Sequence, residues 1–153
     1  MSTDAAYYNG LGHQFQRAGN YKEALDAYDR ALKLNPNNMD YYYNRGSCYR
    51  LLEKWHEAIK DYDVVIKSNP TDAGAYWERG ICYAKIGSNQ DAANNYSNAI
   101  KYKPNNAEYY IWRAISYCSL ADQNKAIRDL EQALEIEPNN VKATQMLTMI
   151  KKI

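Results

Sequence analysis

The four prolines of this chain, Pro36, Pro70, Pro104 and Pro138, are separated each time by 34 residues. A fixed period of that size marks a repeat array, in which one supersecondary unit is copied and each copy packs on its neighbour. Every proline lies in a polar break: NPNN at 35–38, NPTD at 69–72, KPNN at 103–106 and EPNN at 137–140. Proline turns the residue before it away from the helical conformation, and an Asn or Asp just after it can cap a new helix. The breaks therefore predict helix ends followed at once by helix starts.

Between breaks the chain reads as two amphipathic helices joined by a short polar turn, such as AGN at 18–20 or IGSN at 86–89. First helices are expected over 5–18, 39–52, 73–86 and 107–120, and second helices over 21–34, 55–68, 89–102 and 123–136. In each first helix a ring recurs (Tyr8, Tyr42, Tyr76, Tyr110), with another seven residues on (Phe15, Tyr49, Tyr83, Tyr117). Seven residues are two helical turns, so both rings share a face. Four residues after the earlier ring stands Gly12, Gly46, Gly80 or Ala114. A helical Gly costs about 1 kcal/mol relative to Ala, so its recurrence implies close approach of a neighbouring helix. The second helices carry Ala24, Ala58, Ala92 and Ala126, then Tyr28, Tyr62, Tyr96 and Leu130, then Ala31, Val65, Ala99 and Ala133. Alternation of small and large residues seats a ring against a facing helix without a void.

These columns resemble the tetratricopeptide repeat, in four full copies over residues 5–138. The resemblance implies an all-α fold, a right-handed superhelical solenoid of four antiparallel hairpins closed by a terminal helix. At 153 residues one domain spanning 1–153 is expected, with repeats at 5–38, 39–72, 73–106 and 107–140 and a capping helix at 141–151. One departure is paired. Where the family often has Leu before the Gly, only the first copy has it, as Leu11; the others carry Arg45, Arg79 and Arg113. Sixteen residues on, these copies carry Asp61, Asn95 and Asp129, and the first carries Ala27. A partly buried hydrogen-bonded link between the two helices of each hairpin explains the swap.

The resemblance also implies a non-catalytic interaction scaffold whose concave surface, lined by the first helices, receives a peptide or helix from a partner. The positions that would face it are Asn9, His13 and Arg17, then Tyr43, Ser47 and Leu51, then Trp77, Ile81 and Lys85, then Ile111, Ile115 and Ser119, with Arg50 and Cys118 at its border. Here the copies cease to resemble one another. The surface runs from polar and basic to aromatic and aliphatic, which suits a protein partner with apolar anchors and some acidic character. Tyr43 and Trp77 are expected to be exposed; for Ile81 and Ile115, ligand contact and packing on the next repeat both stay open. The carboxylate clamp of co-chaperones is disfavoured, because its places hold Asn9 and His13, then Asn44, then Gly74 and Glu78, of which only Asn44 matches.

Composition excludes other classes. With 19 Lys+Arg against 18 Asp+Glu there is no polyanion-binding excess, so no nucleic acid is expected as a partner. No targeting segment or membrane-spanning run is visible, which leaves a cytoplasmic location as the expectation. Cys48, Cys82 and Cys118 lack metal-ligand spacing, and His13 and His56 lack a nucleophile beside them, so neither cofactor nor catalysis is expected. Cys48 and Cys82 are read as buried packing residues. In the last helix, Ala143, Leu147 and Ile150 could cover the fourth copy, while Met146, Met149 and Ile153 lie partly off that stripe. So apolar a cap implies a homo-oligomer through the C-terminal helix or a longer array. A docking or regulatory domain of a larger enzyme or assembly and a self-associating structural module are the competing readings.

Overall fold

Helix follows helix through the computed structural model, which describes residues 4–152 and holds no strand among them. Among the described residues nine helices occur: α1 (Ala5–Arg17), α2 (Tyr21–Leu34), α3 (Met39–Leu51), α4 (Trp55–Ser68), α5 (Ala73–Lys85), α6 (Asn89–Tyr102), α7 (Ala107–Ser119), α8 (Gln123–Ile136) and α9 (Val141–Ile150). All four second helices begin and end where the polar breaks place them. The first helices stop one residue short of the expected end.

The starts are chemical. Asp4, Asp72, Asn106 and Asn140 accept from the backbone N–H of Tyr7, Ala75, Glu108 and Ala143, and Asn38 accepts from that of Asp40. These bonds satisfy donors that the first turn of a helix leaves orphaned. The turn inside each hairpin needs one residue with positive φ. Gly19 and Gly87 supply it at no steric cost, at 78° and 82°, while Glu53 and Ala121 adopt it at 57° and 58°.

Two compact units divide the chain, one reaching to Pro70 and the other starting at Thr71. In the first, α1 pairs with α2 and α3 with α4, and α3 also packs on α2. Tyr41 of α3 fills that inter-hairpin seam, buried with Ala31 and Leu32 of α2. In the second unit α5 pairs with α6 and α7 with α8; α7 packs on α6, and α9 lies on α8. Tyr109 repeats the role of Tyr41, buried with Ala73 and Ala99.

The small-residue column makes room for a ring of the partner helix. A Cβ on Gly12 would lie 2.5 Å from Cε1 of Tyr28, and one on Gly80 would lie 2.7 Å from Cε1 of Tyr96. Gly46 is looser, at 3.2 Å from Cε1 of Tyr62. In the fourth hairpin Ala114 replaces Gly, and the facing residue is Leu130 rather than Tyr; both are fully buried in one cluster. Loss of the ring admits the extra methyl.

Candidate functional site

The arginine column is architecture. Arg45 donates from Nε and Nη2 to the two carboxylate oxygens of Asp61, at 2.8 and 2.7 Å, and from Nη1 to Asp29 of α2 at 2.7 Å. Arg113 does the same to Asp129 at 2.8 and 2.6 Å, and its Nη1 donates to Ser97 of α6 at 3.0 Å. Arg79 donates from Nε to Oδ1 of Asn95 at 2.8 Å. The expected link is present in the three hairpins that carry the arginine, and the contacts to Asp29 and Ser97 add a tie from Arg45 and Arg113 to the preceding hairpin. The hydrogen bonds that Arg45 donates to Asp61 raise the pKa of Arg45 well above its ordinary value. Burial lifts the Asp61 carboxyl, but both its oxygens accept short guanidinium bonds, so the pair is ionic.

On the face left over, the two units differ. In the first, Asn44 donates to Oδ1 of Asn9 at 2.9 Å, which joins α1 to α3. His13 and Arg17 are exposed one turn apart on α1. Nδ1 of His13 lies 3.3 Å from the Tyr28 hydroxyl, which itself donates to Oε1 of Gln16 at 2.9 Å. The hydroxyl proton is thereby used, so Nδ1 is the donor and Nε2 is left for solvent or a ligand. Tyr43 is half-buried, its ring edge-on to Tyr62 at 5.6 Å. Ser47 and Arg50 are also half-buried, and Leu51 is exposed.

In the second unit Trp77 is half-buried, tilted on Tyr109 at 5.9 Å, and Ile81 is buried with Ala92 and Tyr96. Lys85, Cys118 and Ser119 are exposed, and Ile115 is half-buried against the α7–α8 cluster. Ile111 corrects the sequence reading: it is entirely buried beside Leu130 and offers no ligand surface. Met146, Leu147 and Ile150 of α9 pack on its cluster. A cap must set its apolar stripe on the last hairpin, and that requirement was a signal available in the sequence. Tyr43 and Trp77 are likewise more enclosed than expected.

Two polar groups of the second unit, the Tyr96 hydroxyl and the Trp77 indole N–H, are buried with no partner among the described residues. The places of His13 and Gln16, which bond the Tyr28 hydroxyl, are held here by Ile81 and Ala84, whose side chains cannot bond that of Tyr96. Burial accordingly pushes its pKa far up.

The last helix also differs from its reading. Met146 turns inward, and the exposed side of α9 is mainly Lys142, Thr144, Gln145 and Thr148, with Val141 and Met149 the large apolar residues left in water at 66% and 68% exposure. Ile153 lies outside the described residues. Lys142 stands 4.5 Å above the Trp112 ring. Cys48 and Cys82 are buried and Cys118 is exposed. No helix of the described residues is long and apolar enough to cross a membrane.

Comparison with known proteins places these observations. No curated protein sequence matches the chain. Among solved structures, a crystal structure of MamA aligns with TM-score 0.92 at 25% identity, covering 99% of this chain and 83% of that one. YrrB, described as a TPR protein with an unusual peptide-binding site, aligns with TM-score 0.86 at 25% identity, covering 99% of this chain and 76% of that one. MamA of Desulfovibrio magneticus RS-1 aligns with TM-score 0.92 at 22% identity, covering 99% and 86%. Two family models described as tetratricopeptide repeat match the chain, one at residues 9–73 and 52–93 and the other at 107–140. With its hairpins, its period and these matches in agreement, the chain belongs to the tetratricopeptide repeat family.

Proposed function

We propose that this protein is a non-catalytic interaction scaffold, and that the exposed faces of its first helices take up a peptide or an amphipathic helix of a partner. The carrying observation is the division of labour among columns. Ring, small-residue and arginine positions repeat and are consumed by packing, whereas Asn9, His13, Arg17, Tyr43, Ser47, Trp77 and Lys85 differ from copy to copy and retain accessible surface. Variation at accessible positions beside repeating packing columns lets a family keep a fold and change a partner. In the first unit, the guanidinium of Arg17, one turn after His13, suits acidic side chains. In the second, the half-buried Trp77 and Ile115 suit an apolar anchor.

The test compares wild type with His13→Ala/Arg17→Glu and with Tyr43→Ala/Trp77→Ala in a quantitative pull-down, each variant first shown by circular dichroism to be folded. Partners held by wild type should be lost or weakened in both. Identical partner lists from folded variants would reject this face. The first double variant alters exposed side chains, so its melting temperature should stay close to wild type and separate loss of binding from loss of fold.

A further inference from the structure

The first hairpin departs from its successors at one spot, and a cavity stands there. In the second hairpin the guanidinium of Arg45 lies 5.6 Å from the centre of the Tyr42 ring and 5.8 Å from that of Tyr49. In the fourth, Arg113 lies 5.7 Å from Tyr110 and 5.8 Å from Tyr117. The first hairpin keeps the ring pair as Tyr8 and Phe15, but Leu11 takes the place of the arginine and Ala27 that of its carboxylate. Both are shorter. What remains between them is a cavity of about 270 Å³, walled by these four residues and by Glu23, Asp26 and Arg30.

The charges around it are specific to this copy. The matching recess of the fourth hairpin, where Arg113 sits in place, has Lys125 and Arg128 at the positions of Glu23 and Asp26. Only the recess whose own arginine is missing carries two carboxylates there. Arg30 lies 5.6 Å from the centre of the Tyr8 ring, so this ring already carries one guanidinium on its surface. Among the described residues no cation stands on Phe15.

We propose that this cavity receives an arginine side chain of a partner protein, its guanidinium against Tyr8 and Phe15 and its charge met by Glu23 and Asp26. The chain itself sets a guanidinium against this ring pair twice, at Arg45 and Arg113, with the arginine supplied from within. A planar, weakly hydrated cation that stacks on rings and pairs with carboxylates fits such a site better than the compact, strongly hydrated ammonium of lysine. The site does not depend on the peptide-binding face proposed above, whose variable residues lie in other columns.

Phe15 is the one Phe of the sequence, so its ring resonances in NMR are a unique reporter. Titration with N-acetyl-arginine amide should move the Phe15 and Tyr8 ring signals saturably, with the side-chain methylene signals of the arginine amide shifted upfield by the rings, and N-acetyl-leucine amide should move the ring signals far less. Glu23→Gln/Asp26→Asn should weaken the arginine response about fivefold, as expected for two partly exposed charge pairs. Leu11→Arg/Ala27→Asp rebuilds the internal pair of the other hairpins, fills the cavity and should abolish the response. An equal response to the leucine amide, or full binding by either folded double variant, would overturn the proposal. Wild type showing no response to the arginine amide at solubility-limited concentration would overturn it equally.

Discussion

Arg45 and Asp61 face each other across the second hairpin through two hydrogen bonds of 2.8 and 2.7 Å, with the aspartate side chain 5% exposed and the arginine 22%. The arrangement is one-sided in its risk. Removing the carboxylate leaves a largely buried guanidinium that only Asp29 still meets, and such an orphaned charge costs more than the intact pair contributes. Asp61→Ala should therefore lower stability by roughly 2 kcal/mol, or about 4–8 °C in melting temperature for a chain of this size. Asp29→Ala, at a more exposed carboxylate, should cost under about 1 kcal/mol. Thermal melts of both variants decide it: an unchanged midpoint for Asp61→Ala removes the pair from the list of stabilising contacts.

The glycine column predicts a graded series. Gly12→Ala forces a Cβ to 2.5 Å from a fully buried ring, so overpacking of about 1–3 kcal/mol outweighs the helix-propensity gain of about 1 kcal/mol. Gly46→Ala, with 3.2 Å available, should be close to neutral. Gly12→Ala with Tyr28→Leu copies the pairing of Ala114 and Leu130 and should recover part of the loss. Urea denaturation of the three variants would refute this reading if their order were reversed.

Alkaline pH should unfold the protein by a definite route. Burial pushes the Tyr28 hydroxyl up to about 12, with the Cys48 thiol adding to the effect, and burial pushes that thiol up to about 11. In the unfolded chain these groups ionise near 10 and 8.5. Folded values above unfolded ones mean that the stability they contribute is complete below about pH 8.5 and is lost as pH rises towards 12. The melting temperature should hold between pH 7 and 8.5 and then fall, more gently in Tyr28→Phe. A flat profile to pH 11 would contradict it.

Ala121 holds φ of 58° in the turn between α7 and α8, where the corresponding turns of the first and third hairpins use glycine. An L-residue in that region carries about 1 kcal/mol of strain. Ala121→Gly should raise stability by up to about 1 kcal/mol, less the entropy that glycine adds to the unfolded chain. Differential scanning calorimetry showing a lower midpoint would overturn the assignment of strain.

The cap gives a contrast between two neighbouring residues. Leu147 packs on the α7–α8 cluster, so Leu147→Asp should cost about 2 kcal/mol or more. Met149 is 68% exposed, and Met149→Lys should change stability by less than about 0.5 kcal/mol. Chemical denaturation compares them, and similar losses at both sites would mean that α9 is rotated from the orientation described.

Much of the hairpin architecture could be read directly from residue order. The capping Asn and Asp residues and the ring pairs each act over at most a few turns of one helix, so local rules place local elements, and the 34-residue spacing of the prolines marks where the unit is copied. The pairing of Arg45, Arg79 and Arg113 with residues sixteen further on was legible for a related reason: the helices of a hairpin lie antiparallel, so a fixed sequence offset becomes a contact. The peptide-facing columns were legible as columns but not as surfaces. Exposure at Ile111 depended on where α9 came to rest, and that of Tyr43 and Trp77 on the rings beside them.

Sequence by itself determined the helices, their caps, the paired substitutions and the family, because each is written in residue types at fixed separations. Only tertiary structure decided what those residues leave behind. It showed that the glycine column yields to a ring of the partner helix, that Arg45 and Arg113 each also tie to the hairpin before their own, and that Leu11 and Ala27 together leave a space. The physical reason is that a cavity, like the burial of Ile111, is a property of volumes contributed by several helices at once. No single column carries that sum.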